Sequence, residues 1–202
     1  REPLIRYVSM LRAVHVQSDY PSGRIMMLPK GWALRQEPYK QPSVFNFYLP
    51  SYQPPGEITN YEPSPQIPNG VLVAPEFQMQ TAVNINNAIN LYLWLVFNSG
   101  LTERFTGDGG NFVFECNLSF DFSAERAMAA TDEDLPKLID HFDLVFCCGT
   151  MPPDYKDLIV DEVIEHTSWM PGNPDWSDQY EEHRVQTALI GVVLSPYCAV
   201  GE

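Results

Sequence analysis

Eight of the chain's eighteen prolines fall between Pro38 and Pro68. Each fixes φ and removes a backbone N–H, so neither a long helix nor a central strand can run through that stretch. The surrounding residues 21–74 also hold Phe45, Phe47, Tyr48, Tyr52 and Tyr61. Aromatic surface of that extent needs burial, which argues against a floppy linker. The expectation is an extended segment that lies pinned across a folded body.

On both sides of this segment the hydrophobic spacing is helical. Leu4, Ile5, Val8, Leu11 and Val14 recur behind Pro3, which suits a first helical turn, and a helix is expected within residues 1–20. A second should run from Pro75 to about Asn98, with Gly100 as terminator. Thr131 and Asp134 resemble a capping box ahead of a stripe made by Leu135, Leu138, Ile139, Phe142, Val145 and Phe146, which Gly149 ends. Pro152 and Pro153 open a helix through Tyr155, Leu158, Ile159 and Val163 to near Thr167, and Val185, Ala188, Leu189, Val192 and Val193 mark a last helix stopped by Pro196.

Residues 111–122 alternate instead, with Phe112, Phe114, Cys116, Leu118, Phe120 and Phe122 on one face. A lone strand leaves its backbone unsatisfied, so it must pair near Arg24 to Leu28, near Val71 to Val73, or with its own neighbour in a hairpin. The fold class is therefore mainly α: a helical bundle with a long proline-rich wrapping segment and a small β element. The expected organisation over residues 1–202 is one domain, or one large domain missing a part, with a helix in residues 1–20, the extended segment in 21–74 and the helical core from residue 75 onward.

Twelve basic against twenty-six acidic side chains give a net charge of −14. The summed field repels phosphate backbones and anionic headgroups, which argues against nucleic acid as a partner. The longest apolar run, Leu91 to Phe97, is far shorter than the roughly 20 residues a membrane helix needs. No phosphate-binding glycine loop, Gly-x-Ser-x-Gly elbow or His-Glu-x-x-His motif is present, and no cofactor is called for.

Four blocks carry a family resemblance. REPLIRYVSMLRAV from Arg1, PSVFNFY from Pro42, LVAPEFQ from Leu72 and RVQTALIGVVLSPYCAV from Arg184 together resemble the carboxyl-terminal half of the bacterial family known as domain of unknown function 1800. The resemblance implies a fragment or processed piece of a longer protein, exported to the periplasm or cell exterior. It further implies packing on the amino-terminal half of the same precursor, or on another protein, and supplies no catalytic residues.

The candidate site residues form three sets. Asn84, Asn86, Asn87 and Asn90 occupy the helix half opposite Ile85, Ala88, Ile89 and Tyr92. Asparagine is a poor helix former, so four in seven positions suggest amides that bond to something. With Phe45 and Phe47 they make the expected interaction surface, for a structural or interaction protein. Glu162, His166 and His183 form an alternative carboxylate–histidine metal site between two helices, for a hydrolase or metal-dependent enzyme. Asp140, His141 and Asp143 have the residue types for acid–base work but no evident nucleophile. Cys116, Cys147, Cys148 and Cys198 lack paired CxxC spacing; a bridge from Cys147 or Cys148 to Cys116 or Cys198 and buried thiols stand as equal readings.

Overall fold

The computed structural model describes residues 2–19, 34–36, 41–44, 47–55, 73–79, 81–97, 101–106 and 112–199, with Glu76, 101–106 and 112–117 described by backbone alone. Phe45, Tyr61, residues 24–28 and Gly100, all used in the expectations above, lie outside the described residues. The fold is mainly α with a small antiparallel sheet. The chain divides into two compact units: Arg1, Ile5–Met26 and Tyr92–Glu202 form the first, and Glu2–Leu4 and Met27–Leu91 the second.

In the first unit, helix α1 (Pro3–Ala13, counted from Ile5) buries Tyr7, Met10 and Leu11. It ends well before residue 20, because the chain turns through His15 at φ 48° into the short strand β1 (Gln17–Ser18). The expected strand is β3 (Phe112–Ser119), and its partner is the hairpin option: β2 (Leu101–Thr106) pairs antiparallel with it from Leu101↔Leu118 to Thr106↔Phe112, with an irregularity between Phe105 and Thr106. β1 pairs with the other edge of β3, so β3 is central.

Helix α3 (Ser123–Met128) follows, missed in the sequence because six residues are too few to show a period. Helix α4 (Leu135–Cys147) buries Leu135, Leu138, Ile139, Phe142 and Phe146 as expected, but Val145 is 43 % exposed. The buried stripe drifts round a 3.6-residue helix, and Asp143 takes the inward place instead. Its start also departs from the capping box: Thr131 Oγ1 donates to the Asp134 carboxylate at 2.8 Å, and Asp134 makes no cap bond to the backbone. Its end is a left-handed turn, with Cys148 at φ 58° and Gly149 at φ 75°.

Helix α5 (Pro153–Thr167) buries Ile159, Val163 and Thr167, while Leu158 is exposed. Helix α6 (Tyr180–Val193) buries all five expected apolar positions, and α4, α5 and α6 pack against one another. Their approach is close at Gly191, where a Cβ would sit 3.0 Å from Ile159 Cγ2. Pro196 does not end helical structure but begins a four-residue helix, α7 (Pro196–Ala199), packed on α4 and α6. Arg6 Nη2 donates to the Val193 carbonyl at 2.6 Å, and Gln186 Nε2 to the Val96 carbonyl at 2.9 Å, so these two side chains each meet a backbone acceptor inside the core. Each large apolar side chain buried here contributes about 1.5–3 kcal/mol relative to exposure.

The expected helix from Pro75 is two elements. A 3-10 helix, Pro75–Met79, precedes α2 (Ala82–Phe97). Thr81 Oγ1 accepts from Asn84 N at 3.3 Å, a local start signal that competes with a continuous helix. The first ten residues of α2 belong to the second unit and the last six to the first, where Tyr92, Leu95 and Val96 are buried.

Candidate functional site

The second unit is organised by a polar network. Gln36, 2 % exposed, accepts from Leu4 N at 2.9 Å and donates to the Glu2 carboxylate at 2.9 Å; Tyr48 donates to the other Glu2 oxygen at 2.8 Å. Leu49 N donates to Gln78 Oε1 at 2.7 Å, and Ala74 N to the Tyr52 carbonyl at 3.0 Å. These bonds tie the described pieces of the proline-rich segment to each other and to the 3-10 helix.

Beside Gln78 lies a groove of about 490 Å³ lined by Arg35, Phe47, Gln78, Thr81, Val83 and Asn84. Arg35 stands at φ 55°, a left-handed conformation uncommon for a residue with a Cβ. Its Nε donates to Asn84 Oδ1 at 3.1 Å, while Asn84 Nδ2 donates to the Met79 carbonyl at 2.8 Å. The amide thus holds a strained arginine on one side and closes the break between the 3-10 helix and α2 on the other. Phe47 is half-buried and Val83 is 62 % exposed, giving the groove apolar patches around a fixed guanidinium.

Two members of the expected interaction surface, Phe47 and Asn84, therefore meet in one groove. Asn87 is half-buried, Asn86 and Asn90 are exposed, and these three do not line the groove. Ile85, on the side opposite the asparagines, is 45 % exposed, and the buried positions of α2 begin only at Leu91. Arg35, Gln78 and Val83 were missed. No local pattern marks them: a positive φ at an arginine has no sequence signal of the kind glycine gives.

The alternative metal residues lie on two helices that pack together, α5 and α6. Glu162 and His166 are exposed on α5, whereas His183 on α6 stacks with Phe97 at 6.0 Å and meets the Trp176 ring at 5.5 Å between centroids. Burial holds the His183 imidazole below its usual range. Among the described residues, no group of three or more His, Cys, Asp or Glu side chains is placed to hold a metal ion.

The Asp140, His141 and Asp143 set also diverges. His141 Nε2 lies 3.7 Å from the Glu125 carboxylate, while Lys156 Nζ reaches Asp140 at 2.8 Å and the buried Asp143 at 2.6 Å. Asp143 further accepts from Met151 N at 3.2 Å, so it anchors the turn between α4 and α5. Of the cysteines, Cys147 and Cys198 are buried and Cys148 is exposed; the Cys116 side chain lies outside the described residues. No described helix is long and apolar enough to cross a membrane. Against known proteins, no family model, curated protein or solved structure matches the chain.

Proposed function

We propose that this protein is an exported interaction component that holds a partner polypeptide in the groove over Arg35, Phe47, Val83 and Asn84. The observation that carries the reading is the Arg35–Asn84 clasp: a left-handed arginine held by an amide beside exposed apolar surface. Strained backbone persists where its surroundings over-determine it, and such positions cluster at ligand clamps. The second unit also exposes Val44, Leu49, Val73 and Phe77, at 94 %, 56 %, 46 % and 51 %. Exposed apolar surface of this kind suits a protein contact. A partner carboxylate could pair with the Arg35 guanidinium while apolar side chains cover Phe47 and Val83. The partner is the amino-terminal half of the same precursor, as the family resemblance implies, or a separate protein.

Native mass spectrometry of the protein isolated from its source tests the reading. A complex with a second polypeptide is expected, weakened about tenfold or more by Arg35→Ala or Val83→Ser, in line with loss of a contact of about 1.4 kcal/mol or more. Leu144→Ser, at an exposed position of the first unit, should leave it intact. A lone chain carrying a stoichiometric metal would overturn the proposal and favour the enzyme.

A further inference from the structure

Cys147 closes α4 and Cys198 lies in α7, fifty-one positions on, yet both are buried against the same hydroxyl. Cys147 Sγ lies 3.8 Å from Ser195 Oγ, and that oxygen accepts from Cys198 N at 3.3 Å. Helices α4 and α7 pack directly. Cys148, by contrast, is exposed and stands at φ 58° in the left-handed turn that ends α4. Of the bridges open to Cys147 and Cys148 toward Cys198, the fold favours one.

We propose that Cys147 and Cys198 are a disulfide-forming pair that fastens α7 to α4 when the chain meets an oxidising thiol–disulfide pool. Both carry thiols here. The Cys147 thiol is held well above its usual range, first by a hydrogen bond with Cys198 and then by burial, so it is a poor thiolate within the closed fold. The exchange therefore belongs to folding, or to a local opening of the four-residue α7 that brings Cys198 out first.

The Cys198 thiolate attacks one sulfur of a small disulfide such as oxidised glutathione, forming a mixed disulfide and releasing one glutathione thiolate. The Cys147 thiolate then attacks Cys198 Sγ, forming the protein bridge and releasing the second. Two protein thiols lose two electrons and two protons; one small disulfide gains them as two thiols. Ser195, 1 % exposed, keeps its hydroxyl between the Cys147 sulfur and the Cys198 backbone N–H and takes no part in the electron balance.

The test uses the full chain, reduced and then refolded in a buffer of reduced and oxidised glutathione. Free thiols are alkylated and the protein is mapped by trypsin without reduction. The expected result is a loss of about two mass units and one cross-linked peptide pair, residues 138–156 with 185–202. Cys147 and Cys148 share the first peptide, so Cys148→Ser should retain the link while Cys147→Ser and Cys198→Ala abolish it. Circular dichroism confirms that each variant folds. A bridge involving Cys116 or Cys148, a stable glutathione adduct, or fully alkylated thiols in a folded protein would each overturn the proposal.

Discussion

The ion pair between Asp143 and Lys156 gives the sharpest test of how this core is held. Asp143 is 1 % exposed, with Lys156 Nζ at 2.6 Å and Met151 N at 3.2 Å. Lys156→Met keeps the alkyl stem but strands the carboxylate on a single N–H donor. Breaking a buried pair from one side costs about 3–5 kcal/mol, and the low end, about 3, applies because Lys156 keeps 23 % of its side chain in water. Asp143→Asn retains an acceptor for Met151 N and leaves Lys156 its Asp140 partner, so it should cost about 1–2 kcal/mol. In the double variant no buried charge is left unpaired. It should lose about 2–3 kcal/mol, less than the sum, with a coupling of about 2 kcal/mol.

Urea unfolding at neutral pH, followed by tryptophan fluorescence, reads this out, since Trp94, Trp169 and Trp176 all belong to the first unit. With a slope of about 2–3 kcal/mol per molar, Lys156→Met should lower the midpoint by about 1 M. Additive losses, with a coupling under about 0.5 kcal/mol, would show that this contact does not hold the turn between α4 and α5.

The same lysine predicts an alkaline effect. Asp140 first and Asp143 second raise its folded pKa, so its stabilisation is complete below the unfolded value of about 10.4 and is lost as pH rises through the raised one. Midpoints measured from pH 9 to 12 should fall faster in the native sequence than in Lys156→Met. Burial lowers the His183 pKa, so its contribution is present above about pH 6.5 and declines as pH falls through the lowered value; an NMR titration that places His183 at or above the ordinary histidine value would refute this. Leu189→Ala, at a position with no exposure, should cost about 2–5 kcal/mol in chemical denaturation. At Gly191 a Cβ already meets Ile159 at 3.0 Å, so Gly191→Leu should lose about 1–3 kcal/mol by the same assay despite leucine's better helix propensity.

Much of the first unit was legible in order along the chain. The apolar positions of α6 report burial through local periodicity, the alternation of residues 111–122 marks a strand, and both became the elements their periods imply. Legibility failed where neighbours decide. Val145 and Leu158 fit a helical stripe yet face water, because which arc of a helix is covered depends on what packs there. The strand partner of β3 was open among three segments, and β2, the hairpin neighbour reached by a short loop, pairs with it. In the groove, Phe47 and Asn84 stood out by composition, whereas Arg35 did not, since its role comes from a backbone conformation and a partner 49 positions away.

The sequence by itself determined where the long helices α4, α5 and α6 and the long strand form, and the sign of the protein's field. Those properties follow from covalent geometry, local hydrogen bonding and charge, which need no distant contact. Only the tertiary structure decided that Asp143 turns inward to Lys156, that Arg35 is clasped by Asn84, and that Cys147 and Cys198 share one buried hydroxyl. Each of those joins residues 13 to 51 positions apart, and the free energy of such contacts comes from packing and desolvation that exist only once the chain has closed on itself.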